Sequence, residues 1–282
     1  TGLPTVAWRL LNNGVAKSKS TTAQIDEQCG MLEARSELDK DLADLNGNTN
    51  AFRLSEASAF VEAMNQEMAS TMFYGNSGTA PEEFTGLAPR YSSSTANNGS
   101  NILKAGGAGS DNTSVWLCGY SANTLYGIFP KGSKAGLIHE DLGLIDAFDS
   151  DNNRFRAYAD RWQWKIGLAV KDWRYAVRIP NIDISDALAL ANTQATTAAT
   201  FLPKLMARAI DRIPSPGSVR LAFYANRTVL SNLRVMAMEK AVNVLSIQEG
   251  LNQFGQKIQS LTFLGIPVRL CDSLIETEAV VA

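Results

Sequence analysis

The residues best equipped for chemistry are few. His139 is the only histidine, and Glu140 and Asp141 follow it directly. A serine–histidine–aspartate relay would have to use it, yet no Gly-x-Ser-x-Gly elbow exists to present a nucleophile. Glu140 and Asp141 could serve as an acid pair. Adjacent residues of an extended chain point to opposite faces, however, and do not converge on one substrate. Nothing marks a glycosidase-type carboxylate pair. Cys29, Cys118 and Cys271 are odd in number and far apart, which argues against a disulfide framework and fits a reducing compartment. With one histidine they also lack the spacing of a zinc site. Gly106-Gly107-Ala108-Gly109 suggests a phosphate-cradling loop, but the Gly-Lys-Ser/Thr and the strand-to-helix setting are missing. It reads as a turn-rich connection. Asp149 to Asn153 starts like a calcium loop and lacks the glycine at its sixth position and the glutamate at its twelfth. An acidic hairpin turn is expected instead. This inventory predicts no enzyme, no cofactor and no metal.

Composition narrows the class further. The chain has 282 residues, enough for one large domain or two modest ones. Its 26 Lys and Arg against 28 Asp and Glu give a formal net charge of −2, with no basic run anywhere. Specific nucleic-acid binding through phosphate neutralisation is therefore not expected. No apolar run approaches eighteen residues, so no transmembrane helix is expected. No charged segment followed by an apolar one opens the chain, so no signal peptide is expected.

The elements follow in order. Residues 1–22 are polar and small after Leu11, with no lasting period, and read as an extended arm. Trp8, Leu10 and Leu11 on such an arm imply that it docks on something. Residues 23–52 mix extended pieces with a short helix around Leu38, Leu42 and Leu45, stopped by Asn46-Gly47-Asn48. A long helix is expected over 56–74, capped by Ser55 and ended by Gly75. Phe60, Val61, Met64, Met68 and Met72 recur at helical spacing and define its core face. Residues 75–112 are a Gly-, Ser- and Asn-rich tract. Short strands are expected at 114–121 and 124–130, then a turn-rich piece over 131–143. Two aromatic runs, 154–166 and 168–179, separated by Gly167, predict an antiparallel hairpin with Trp162 and Trp164 on one face. Residues 185–213 are expected to be helical, with an apolar stripe around Phe201, Leu205 and Met206. After Pro214-Ser215-Pro216-Gly217, residues 218–282 predict a strand, an amphipathic helix, a polar section, two strands and a tail that ends in a sheet.

Several blocks in this order resemble tailed-phage major capsid proteins of the Hong Kong 97 type. They are STTAQIDEQCGMLEARSELDKDLADLNG, the helix 56–74, GNSGTAPEEFTGLAPRY, FYANRTVLSNL and LTFLGIPVRLCDSLIETEA. No single motif is diagnostic; order and spacing carry the match, which covers most of the chain. The resemblance implies an α+β capsid fold. It assigns 1–19 to an N-terminal arm and 20–50 to an extended-loop region, the part from 20 to 38 lying over a neighbouring subunit. It assigns 51–216 to a peripheral domain with spine helix 56–74 and aromatic hairpin 154–179, and 217–282 to an axial domain with a returning strand. The aromatic strands precede the axial block, which implies a rearranged connectivity, as in some short-tailed phages. The resemblance also implies a shell protein that self-assembles into pentamers and hexamers around packaged double-stranded DNA. Its implied partners are a separate scaffolding protein, a portal at one vertex and a possible cementing protein. Assembly would occur in the bacterial host cytoplasm. The assembly contacts expected are Trp8, Leu10, Leu11, Gln24, Ile25 and Met31. An encapsulin-like compartment and a β-rich binding module are the alternatives.

Overall fold

β2 (Asn112–Tyr120) is the strand that both halves of the core share. The computed structural model describes residues 4–20, 24–45, 47–185, 202–238, 245–251 and 257–282. Strand alternation sends Val115 and Leu117 to one face of β2 and Trp116 and Cys118 to the other, and both faces are covered. β6 (Ala176–Asp183) and β7 (Arg220–Ala225) pair with it antiparallel. On the first face, α4 (Leu202–Asp211) and α5 (Arg227–Met238) contribute Leu205, Met206, Leu230, Leu233 and Met236 against Val177, Ile179 and Phe223. On the second face, Met68, Phe73, Phe84, Leu87 and Tyr91 pack on Trp116 and Cys118. The first cluster draws on residues from both sides of 216/217.

The sheet continues on both flanks. Its order is β1 (Gly30–Asp39), β5 (Arg154–Val170), β3 (Leu125–Ile128), β2, β7, β10 (Ile266–Leu270), β9 (Lys257–Phe263), β8 (Leu245–Leu251). β4 (Leu137–Phe148) pairs with β5, and β6 with β2. β10 runs parallel to β7 and antiparallel to β9.

The long helix is α2, Thr49–Tyr74, between the short helices α1 (Lys40–Asp44) and α3 (Leu87–Arg90); at 1.5 Å per residue it spans about 39 Å. It starts seven residues before the expected Glu56. Asn48, not Ser55, is its N-cap, accepting from the Ala51 N–H at 3.3 Å. The first turns are exposed and so carry no apolar period. Gly75 ends the helix as expected, but with φ −50° and not through a left-handed cap. A Cβ there would lie 2.5 Å from the Phe84 carbonyl, so glycine is needed for the returning chain to close on the helix end. Of the expected core face, Met64 and Met68 are buried, while Phe60, Val61 and Met72 are half-buried. Phe60 stacks on Trp162 of β5 with ring centroids 5.1 Å apart and planes 12° off parallel. Phe60→Ala is expected to lower stability by about 1–2 kcal/mol, the ring pair plus a partly lost apolar area. Thermal unfolding followed by circular dichroism measures it.

The expected aromatic hairpin 154–179 does not form. β5 passes straight through Gly167, which is a point of close approach and not a turn: a Cβ would sit 2.4 Å from the Gln28 carbonyl. β5 pairs instead with β1 over ten residues and with β4. β4 occupies much of the piece expected to be turn-rich. Trp173–Tyr175, expected as strand, is a 3-10 turn leading into β6. The polar section 243–256 contains β8. The C-terminal residues 271–282 run as an extended strap with one bridge, Asn112 to Glu278, rather than as a sheet strand. Because β1 pairs within its own chain, the 20–38 segment is not a free loop throughout. Of the expected helical stretch 185–213, residues 186–201, Phe201 of the stripe among them, lie outside the described residues, as do residues 1–3 and 21–23.

Candidate assembly interface

The arm is pinned where it meets the body. Glu27 receives both terminal nitrogens of Arg90, at 2.7 and 2.5 Å, and Arg90 also donates to the Gly86 and Thr85 carbonyls. β1 begins three residues later. Before this anchor the chain leaves the body. The arm doubles back on itself: the Ser18 hydroxyl donates to the Thr5 carbonyl at 2.7 Å, and the Asn13 N–H donates to Leu10 O at 3.2 Å beside Asn12 at φ 66°. Trp8, Leu10 and Leu11 are almost fully exposed near this turn. Gln24 and Ile25 are exposed as well, and Met31 on β1 is 58% exposed. The six expected contact residues thus all face outward, five on the free segment and one on the sheet. Single exposed apolar residues are ordinary; a run of them on a segment that buries nothing is not.

β1, β5 and β4 form a blade beyond the core. Its inner face meets the first half of α2. Arg53 donates to both oxygens of Asp160, at 3.3 and 2.9 Å, pairs with Asp141 at 2.9 Å, and lies over the Tyr158 ring at 5.2 Å. His139 stacks on Trp162 at 5.3 Å and contacts Asp160 at 2.9 Å through Nε2. His139 and Asp141, the candidates for chemistry, therefore belong to a cluster that ties a helix to a sheet. Glu140 points away from them to Arg161 on the outer face, at 3.3 Å, so the acid pair diverges as strand geometry requires. Asp149 accepts from the Asn153 and Asp151 backbone N–H groups at 2.7 and 3.0 Å and forms the β4–β5 turn. The Gly106–Gly109 tract packs on β6, where the Gly107 N–H meets the Asn181 carbonyl at 2.8 Å.

The outer face carries a charge ladder across the three strands. Arg161 of β5 reaches Glu33 of β1 at 2.7 Å and Glu140 of β4 at 3.3 Å, and Gln163 adds a bond to Glu33 at 3.0 Å. The Arg161 hydrogen bond, with help from Gln163 and Arg35, holds the Glu33 carboxyl down at about 2. A carboxyl depressed in the folded state stabilises above its unfolded value, near 4.5, and that contribution fades as pH falls through about 2. Amide exchange in β1 should therefore speed up between pH 5 and pH 3 relative to β2, as read by hydrogen–deuterium exchange. Equal acceleration in both strands would remove Glu33 as the cause.

The strap closes the opposite end. Arg178 of β6 and Glu278 pair at 2.9 Å with side chains 6% and 3% exposed. Tyr74, the last residue of α2, and Ser114 of β2 donate their hydroxyls to the two Glu278 oxygens. Asn181 makes paired bonds with the Val281 backbone at 3.0 and 2.9 Å. Sequence reasoning missed this lock; an arginine in an otherwise apolar strand, VRIPNI, was the available signal.

A body whose polar groups secure its own elements, carrying an exposed apolar arm, is the architecture of a structural protein that builds an assembly. The family model for major capsid protein GP7 matches residues 1–282, and the chain belongs to that family. It is a structural protein of the phage capsid. A chain in the near-atomic structure of bacteriophage Epsilon15 is similar at 31% identity and a TM-score of 0.66, over 99% of this chain and 82% of that one. A chain of the satellite phage P4 procapsid, solved with a size-determination protein, aligns at 11% identity and a TM-score of 0.31, over 65% and 87%. At that score the second alignment supports no conclusion. No curated protein matches the chain significantly.

Proposed function

We infer that this chain closes into an icosahedral head of pentamers and hexamers around packaged double-stranded DNA. The observation that carries the reading is the arm: a complete core lies behind the Glu27 anchor, while residues 4–20 bury none of their apolar side chains. A near-neutral chain without a basic run suits a wall that encloses DNA without gripping it. Closed symmetry lets many moderate interfaces add up. Residues up to about 26 then act as the reaching arm, α2 as the spine, and the body around β7, α5 and β10 as the axial part. Trp8, Leu10, Leu11, Gln24, Ile25 and Met31 meet neighbouring subunits. A separate scaffolding protein guides assembly in the host cytoplasm, a portal occupies one vertex, and a cementing protein is a further candidate partner. Size-exclusion chromatography with negative-stain microscopy, with and without co-expressed scaffold, tests the reading. Ring or shell particles support it; a 30.5 kDa monomer under every condition sinks it.

A further inference from the structure

One cleft on the body has chemistry complementary to the arm. It lies between α2, the start of β1 and the chain at 82–84, with a volume of about 170 Å³. Leu32, Met68, Phe84 and Ile166 form its apolar lining. A cavity of about 150 Å³ is enough to hold one benzene ring. Glu67, Glu82 and Glu83 line it too, and none of the three has a cationic partner among the described residues. The pocket is therefore a ring-sized apolar socket with uncompensated negative charge.

The arm supplies the opposite properties. Residues 1–25 carry Arg9, Lys17 and Lys19 and no acidic residue. Trp8, beside Arg9, is fully exposed among the described residues. Phe129 and Phe148, the next most exposed rings among the described residues, are about half covered by their own chain, at 51% and 52%, against 104% for Trp8. Phe148 also sits by the β4–β5 turn with Asp146, Asp149 and Asp151, whose charge repels the same carboxylates. We propose that this cleft is the socket for Trp8 of a second copy, with Arg9 set against the Glu67, Glu82 and Glu83 carboxylates. The ring anchors by burial, as aromatic residues do at the centres of interfaces. The solvated carboxylates steer the arm and fix its polarity, and they weaken with salt. Each body then offers one socket and one plug that point to different neighbours, a head-to-tail contact that closes only in a ring or shell.

The inference rests on the shell reading, and the test separates the two. Cys29, exposed and one residue before the cleft residue Gly30, provides a native handle. Burial pushes the Cys118 thiol up to about 12 and keeps it silent. Leu10→Cys in the full-length chain keeps both the Trp8 ring and Arg9 and puts a thiol two residues from the ring. Assembled particles of this variant, treated with a short bismaleimide, should give a ladder of covalent dimers and larger species on a denaturing gel. Cys29→Ser should remove the ladder, and the unmodified chain should give none. Glu82→Gln with Glu83→Gln should lower the cross-linking yield at least threefold at low salt and much less at 0.5 M salt. Particles that form normally but stay monomeric on the gel overturn the socket and leave the shell reading intact. A shifted monomer band means that the arm folds onto its own body, and it overturns the proposal as well. If Leu10→Cys forms no particles, the same gel on Ala7→Cys particles decides by the same criteria. Failure of the unmodified chain to form particles counts against the shell reading and, with it, the socket.

Discussion

Glu278→Ala should cost the subunit about 3–5 kcal/mol, seen as a large drop in the urea midpoint at unchanged slope. The carboxylate sits where three elements meet. Arg178 gives it one nitrogen at 2.9 Å, gives Nε to the Ser114 hydroxyl at 3.1 Å and Nη1 to the Tyr91 carbonyl at 2.9 Å, and lies 5.2 Å from the centre of the Trp116 ring. Burial and the nearby Glu278 charge push the Tyr74 hydroxyl far above its usual range, so it remains a donor to the carboxylate. Without Glu278, the guanidinium remains buried against Trp116 with no counter-charge, and two hydroxyls lose their acceptor. Desolvation of the orphaned charge, not the lost Coulomb attraction, sets the size of the effect. Replacing both partners, Arg178→Met with Glu278→Met, should therefore recover much of the loss, because no unpaired charge is left inside. A single-mutant loss below about 1 kcal/mol would show that the strap is dispensable.

What could be read in advance follows the range of the interactions. β2 and the first half of β6 were visible because alternation and β-branched residues act locally, and α2 because Met64 and Met68 repeat at helical spacing. The start of α2 was not visible. Leu54 and its neighbours are exposed, so the first turns carry no apolar period, and the cap at Asn48 was hidden in what read as a stop signal. β4 was missed because its strand begins in Gly-rich sequence and shows His139, Glu140 and Asp141, which are held by Asp160, Arg161 and Arg53 from other elements. Gly167 misled for a related reason. From sequence, a glycine between two aromatic runs means a turn; in the fold it means that the Gln28 carbonyl passes 2.4 Å from where a Cβ would be. The Arg178–Glu278 pair spans 100 residues and leaves no local trace. The arm was the easiest part to read because nothing distant shapes it. Trp8, Leu10 and Leu11 stand out as apolar residues without a period, and they remain exposed in the fold.

That independence makes removal of the arm the sharpest functional test. Deleting residues 1–17 should leave the body folded, with stability unchanged to within about 0.5 kcal/mol, the usual range for surface changes. The described arm residues touch the rest of the chain little, and Arg90 with Glu27 holds the exit point after they are gone. Assembly should fail nevertheless. An arm contact worth only about 1.4 kcal/mol changes each subunit addition tenfold. A shell multiplies that factor over every closing step, because each subunit is held by several tethered contacts at once. The truncated chain should therefore elute as small species at concentrations where the full chain forms particles, with matching circular dichroism and urea midpoints. Full-yield particles from the truncated chain would show that the arm is not a structural clamp. A lost helical signal would show that residues 1–17 belong to the core, which the exposure of residues 4–17 argues against.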